Sequence, residues 1–435
     1  MSRRKDGQIM SNWKNSLLNL GIASDLADIA AEGMEATADL REQIRQNASV
    51  NQWKVLQVLQ EVGLMEGHFF PTTGYGFSDS GRDVLDEAIA KIFRAQSGAM
   101  RLQFVSGTHA LASALFGTLK PGDELLSITG LPYDTMHPVI GIGEAKRGSL
   151  AYWGVNYRQV DLLPDGHIDL EGVKKSLNEK TAMVLLQRSR GYAWRPSLSL
   201  LEMKKAIDLV HSLAPKVKVM VDNCYGELVD TVEPTEIGAN VVAGSLIKNL
   251  GGAISPCGGY IAGDSDCVEG AMERLTAPGI GPDEGPTLGY NRLLAQGLFM
   301  APIVVGAALE GAVWGAWVME NCGLEVFPKW NDPRSDIIQA VRVGSEEGQK
   351  AFCLGIQKSG PVDHSACPIP LQQPGYDDPV IMAGGTFIQG SSIELSADCP
   401  VRAPYGCYMQ GGVSFAHVQI GVLRALQEMK NRSLL

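Results

Sequence analysis

Six apolar runs, each closing on small or polar residues, recur between residues 100 and 263, and they restrict the possible folds more than any other feature of the chain. They are RLQFVSG (101–107), DELLSITG (123–130), AMVLLQRS (182–189), VKVMVDNCYG (217–226), ANVVAGSLIKN (239–249) and GGYIAG (258–263). Helix-like segments such as THALASALFGTL (108–119) and SLLEMKKAIDLVHSL (199–213) lie among them. Near-continuous apolar strands alternating with helices predict an α/β unit with a largely parallel sheet covered on both faces. Ligands of such sheets sit beyond the carboxyl ends of the strands. Four places qualify: Ser106-Gly107-Thr108, the stretch from Gln187 to Tyr192, Asp222-Asn223, and the stretch from Ser245 to Lys248.

The flanks read differently. Residues 12–66 carry leucines, Ile29, Trp53 and Val62 at helical spacing, and 83–93 resumes a helix after the polar, Gly-rich loop PTTGYGFSDSG. Beyond residue 320, SSIELSAD and CYMQGG read as strands and 416–429 as a helix, so a smaller α+β domain is expected. The division is an N-terminal helical segment over 1–70, a large α/β domain over 71–310 and a small domain over 311–435. Residues 298–319 are apolar and long enough to span a bilayer. Glu310 near the middle and Pro302 argue instead for a buried or interface helix.

Charge excludes some classes of partner. The chain has a formal net charge of −11, with one short basic run at Arg3-Arg4-Lys5, so nucleic acid and anionic membranes are not expected partners. None of the eight cysteines forms a C-x-x-C pair, and no signal-peptide core follows the first charges. Reduced thiols in a cytoplasmic protein are the expectation. The seven histidines show no metal-ligand spacing, and no metal site is expected. The P-loop, H-E-x-x-H and G-x-S-x-G patterns are absent from the sequence.

Lys248 sits in GSLIKNLGG, straight off an apolar run. A lysine there is expected to be desolvated, with a lowered pKa and a nucleophilic amine, as Schiff-base lysines are. Asp222 ends VKVMV, where a carboxylate calls for a cationic partner; a strand-end turn cap is the plainer reading. The two residues are consecutive strand ends. Together they supply what pyridoxal 5'-phosphate requires: a carboxylate for the pyridinium nitrogen and a lysine for the aldehyde. Ser106-Gly107-Thr108 lies between a strand and a helix, so it reads as a phosphate cradle or as an ordinary helix cap. Ser245 could add a hydroxyl to the same phosphate.

VSGTHAL, MVDNCYGELVD and GSLIKNLGG resemble fold-type-I pyridoxal-phosphate enzymes, the aspartate aminotransferase-like class. With GYGFSDSGRDVLDEAIAKIF, QRSRGYAWRPSL and PVRAPYGCYMQGG, the likeness extends from about residue 15 to the last helix. It resembles the methionine gamma-lyase family, whose members also bear the name aluminium resistance proteins. The resemblance implies a carbon–sulfur lyase acting on a sulfur-containing amino acid. Lys248 would hold the cofactor and move protons, Asp222 would pair with the ring nitrogen, and Tyr133 would stack on the ring. Ser106, Gly107, Thr108 and Ser245 would take the phosphate. Tyr75 and Arg82 would reach a neighbouring subunit's phosphate, which implies at least a homodimer, with a homotetramer expected. Arg402 would clamp the substrate carboxylate, with Arg188, Arg190 and Arg195 as competitors for that role. One departure is that no Asn-Pro follows the strand VLLQRSRGY, so the contact to the cofactor's phenolic oxygen is unassigned. An aminotransferase or aldolase-type reaction remains an alternative, as does a non-catalytic protein of metal or stress tolerance. Ser245 with Lys248 also fits the S-x-x-K of penicillin-recognising acyl transferases, but no S-D-N element follows.

Overall fold

The computed structural model describes residues 12–76 and 79–435. Its larger sheet has seven strands: β1 (Ser97–Arg101), β2 (Glu124–Ser127), β3 (Asn156–Gln159), β4 (Thr181–Gln187), β5 (Lys218–Asp222), β6 (Val241–Ser245) and β7 (Gly259–Gly263). Their order is β1-β7-β6-β5-β4-β2-β3. The pairings β6 to β5, β5 to β4, β4 to β2 and β2 to β3 are parallel, while β7 runs antiparallel to both β6 and β1. Val219, Met220 and Val221 of β5 have no exposed surface, as an apolar run covered on both faces requires.

Helices supply that cover through one apolar stripe each. In Leu200–Leu213 the buried residues are Met203, Ala206, Ile207 and Val210, at helical spacing. Ser199 caps it by accepting a hydrogen bond from the Glu202 amide, a contact worth ~1 kcal/mol.

The first expected strand is displaced. RLQFVSG begins where β1 ends, and Ser97–Arg101 forms the strand because it registers against β7, with Arg101 opposite Gly259. Arg101 is buried there, bonded to Asp86 and to the Pro282 carbonyl. β3 adds a strand with no apolar signature in the sequence, because it is polar and lies at the sheet edge.

The smaller sheet holds β8 (Glu325–Phe327), β9 (Gln339–Arg342), β10 (Val380–Ala383), β11 (Ser396–Pro400) and β12 (Gly406–Gln410), ordered β10-β11-β12-β9-β8 and antiparallel throughout. Of SSIELSAD only the end enters β11. The Ser392 amide instead donates to the Ile247 carbonyl at 3.1 Å, tying this domain to the segment that carries Lys248.

The helix Asn291–Asn321 runs through the expected division at residue 310, and residues from Trp314 onward join the small-domain core. Glu310 is paired within the protein, 2.6 Å from Arg45 and 3.9 Å from Arg41. Length and composition alone would let this helix cross a membrane, yet two thirds of its most apolar stretch is buried in the chain. The N-terminal helices do not stand apart. Leu26, Ala27 and Ala30 of Ser24–Ala36 pack into the small-domain core, and Val55, Val58 and Leu59 of Ala38–Glu61 into the large-domain core.

Candidate active site

The parallel strands end at one cavity of about 580 Å³, lined by Ser106, Gly107 and Thr108, by Tyr133, and by Asp222, Ser245 and Lys248. The small domain closes its other side through Tyr376, Asp398 and Gln410. A volume of this size suits a small ligand together with a cofactor.

Ser106 caps the helix Gly107–Thr118 by accepting from the His109 amide at 3.2 Å, so the cap reading and the cavity placement both hold. Gly107 has no room for a side chain, since a Cβ there would lie 2.9 Å from Ser245 Cβ. The helix N-terminus therefore rests directly on the end of β6. Its free amides and positive dipole end face the cavity's rim, as an anion cradle needs. Thr108 Oγ1 and Thr135 Oγ1 are 2.8 Å apart.

Asp222 Oδ1 accepts from the Cys224 amide at 3.1 Å. Burial raises its pKa, and Lys248 pulls it part of the way back. Lys248 Nζ stands 3.9 Å from the centroid of the Tyr225 ring. The expectation of a lowered lysine pKa is corrected. Burial alone would push the ammonium down, but Cys224, Tyr225 and Asp222 beside it outweigh that and hold it above the ordinary value. The frame that looks apolar in GSLIKNLGG is faced by acidic groups from the segment following β5. The glycines after Lys248 serve packing. A Cβ on Gly251 would strike the Leu246 carbonyl oxygen at 1.6 Å, and one on Gly252 the Gly297 carbonyl oxygen at 2.2 Å.

Tyr133 lies in an aromatic group with Tyr192 and Tyr376, its hydroxyl 2.9 Å from that of Tyr376. Burial, then the neighbouring Tyr376 and Tyr225 hydroxyls and Asp398, push its pKa well up.

The arginines expected at the substrate carboxylate are not in the cavity. Arg402 is half exposed and pairs with Asp378 at 2.8 Å, outside the lining. Arg188, Arg190 and Arg195 are committed elsewhere: to Asn223 and Asp230, to the Phe327 carbonyl, and to the carbonyls of Gln187, Ser189 and Pro196. No arginine lines the cavity among the described residues. Arg82 is buried, and its guanidinium donates to the Gly74 and Gly76 carbonyls and to Asp83, so it braces its own loop. Tyr75 on that loop is 77% exposed, which leaves its ring free for a contact outside this chain.

Other lining residues were marked in the sequence only as part of a stretch, as Gln187 was, or not at all, as with Tyr225 and Asp398. Gln187 ends β4, and its Oε1 is buried without a partner. It opens the Gln187–Tyr192 stretch, one of the four strand-end places the sequence marks for a ligand. Tyr225 takes a left-handed φ of 71°, a backbone state costly for a non-glycine residue. Asp398 on β11 accepts from Tyr192 Oη and from Gln410 Nε2, both at 3.0 Å. Burial pushes its carboxyl up to about 6.

A lysine and an acid at adjacent strand ends, a helix N-terminus seated on the second strand, and an unpartnered amide oxygen fit pyridoxal 5'-phosphate. Fold and site together define a fold-type-I pyridoxal-phosphate enzyme. The chain belongs to the methionine gamma-lyase family, whose model, described as Methionine gamma-lyase, matches residues 26–430. It is 44% identical over 406 residues to the uncharacterized protein YnbB of Bacillus subtilis, covering 92% of this chain and 96% of that one. Two solved structures are similar, each 45% identical and covering 96% of this chain and 98% of the other. One is a carbon–sulfur lyase involved in aluminium resistance from Clostridium novyi, with a TM-score of 0.91. The other is a proposed cystathionine beta-lyase involved in aluminium resistance from Clostridium acetobutylicum, with a TM-score of 0.92.

Proposed function

We propose that the chain is a carbon–sulfur lyase that eliminates a thiol from a sulfur-containing amino acid of the methionine, cystathionine or cysteine type, leaving a 2-oxo acid and ammonia. The observation that carries this reading is the convergence of Lys248, Asp222 and the Ser106–Thr108 cradle on one cavity. The description of the Clostridium novyi relative supports it.

When bound, pyridoxal 5'-phosphate supplies an electron sink that stabilises negative charge at the substrate's Cα. Lys248 would hold its aldehyde, Asp222 its ring nitrogen, and Ser106, Gly107, Thr108 and Ser245 its phosphate. With its amine free, Lys248 Nζ would serve as the general base that takes the substrate's Cα proton. Asp222 keeps the ring nitrogen protonated, because a charge pair at a buried strand end is favoured over a lone carboxylate. Tyr133, on the cavity wall, would face the cofactor's ring, and the small-domain wall would keep water from the reacting carbon.

Exposed Tyr75 supports a site completed by a second copy, hence at least a homodimer and, by the same reading, a tetramer. The eight free cysteines support a reducing, cytoplasmic setting. A role in aluminium tolerance is the setting suggested by the relatives' descriptions.

The test is direct. The purified protein should be yellow, lose its visible band on borohydride treatment, and release thiol and 2-oxo acid from at least one of methionine, cystathionine and cysteine. Lys248→Ala should abolish both band and release. A protein that takes up no cofactor would overturn the proposal, and transamination without thiol release would change the reaction class.

A further inference from the structure

The cavity contains an acid that the proposed chemistry does not use. Among the described residues that line it, the charged side chains are Lys248, Asp222 and Asp398. Lys248 and Asp222 are committed to the cofactor. Asp398 sits on the opposite, small-domain wall. Its Oδ2 accepts from Tyr192 Oη and Gln410 Nε2, while Oδ1 makes no hydrogen bond to any described residue. The nearby Tyr192 is fully engaged with this carboxylate and with the aromatic group, and it stays neutral because burial raises its pKa well up.

A carboxylate in such a wall repels the carboxylate of an ordinary amino-acid substrate. Asp398 is partly buried, so its free oxygen is open to water, and once a ligand displaces that water it is satisfied by a proton or by a cation. No arginine or second lysine of the lining provides that cation. A ligand that carries one would gain a charge-assisted hydrogen bond at Oδ1, already oriented by the two donors on Oδ2. We propose that Asp398 is a specificity-determining residue that selects substrates bearing a second ammonium group beyond the reacting amine. This rests on the carbon–sulfur lyase reading of the same cavity.

Near-isosteric probes separate the charge from the shape: S-(2-aminoethyl)-L-cysteine against S-propyl-L-cysteine, and the corresponding homocysteine pair. With the holoenzyme, kcat/KM should favour the aminoethyl member roughly tenfold or more, the range of a hydrogen bond to a charged group. In Asp398→Asn the preference should vanish through loss of the aminoethyl substrate alone, and Asp398→Glu should restore part of it. The visible band of each variant reports that the cofactor site is intact. Equal handling of the pair by the wild type would overturn the proposal. So would an equal loss on both members in Asp398→Asn, because Asp398 would then serve the reacting amine or the fold. If the holoenzyme cleaves neither pair, the lyase reading fails separately. The same preference is then read from the concentration of each probe that perturbs the visible band, where a preference that Asp398→Asn removes upholds the assignment and its absence overturns it.

Discussion

Lys248 Nζ lies over the face of the Tyr225 ring, 3.9 Å from its centroid, and Tyr225 reaches that position only through a backbone φ of 71°. The strained residue follows Asp222 by three positions, so one turn fixes both the acid and the ring that faces the lysine. An ammonium over a ring face gains ~0.5–2 kcal/mol, of the same order as the ~1–3 kcal/mol cost of the backbone state. Tyr225→Phe should therefore retain cofactor and activity within a few-fold, since the ring remains. Tyr225→Ala should lower kcat by about tenfold or more, read alongside the visible band. Equal, large losses in both would assign the effect to the hydroxyl instead.

Glu227 is fully buried, accepts from Tyr260 Oη at 2.9 Å through Oε1, and leaves Oε2 without a partner. Burial pushes its carboxyl up to about 8, so the folded chain keeps the proton at neutral pH. The sign follows from linkage. A raised carboxyl pKa gives stability that is complete below the unfolded value, ~4.3, and is lost as pH rises toward 8. Between pH 5 and 8 the wild-type Tm should fall more steeply than that of Glu227→Gln, which keeps the shape and the acceptor. Parallel Tm curves would show that Glu227 is ionised throughout.

Gly107 is where the anion cradle touches β6. A methyl group placed 2.9 Å from Ser245 Cβ must push the helix N-terminus away from the strand end. Gly107→Ala should fold with a Tm close to wild type while its affinity for pyridoxal 5'-phosphate drops about tenfold, as one or two lost hydrogen bonds to a charged group would give. Cofactor titration of the apoprotein checks this. An unchanged affinity would place the phosphate elsewhere.

Arg402 pairs with Asp378 at the half-exposed surface, where such pairs contribute ~0–1 kcal/mol. Arg402→Ala should change KM for the best substrate less than about threefold and leave Tm within a degree or two. A tenfold rise in KM with kcat unchanged would return Arg402 to the substrate.

Local signals carried much of this site. Apolar runs with period-free burial marked β4 to β7, because a strand covered on both faces must be apolar along its length. The strand ends then placed Asp222, Ser245 and Lys248 at one edge of one sheet. Ser106 reads in the sequence as cap or as cradle, and the structure shows the cap at the cavity's edge. The small domain was read less well. The short strands β8 and β10 carry too few residues to show a period, and the helix Glu346–Ser359 is dominated by its polar first turn.

What the sequence alone determined is the layered sheet and the strand-end positions of Lys248, Asp222 and the Ser106–Thr108 turn, since each is set by neighbours a few residues away. What only the tertiary structure decided is the set of acidic groups facing that lysine, the pairing of Arg402 with Asp378, and the place of Asp398 in the cavity wall. The groups that face Lys248 lie more than twenty residues before it, and Asp398 meets Tyr192 from 206 residues further along the chain. Charge interactions act through space, and a pattern read along the backbone does not contain them.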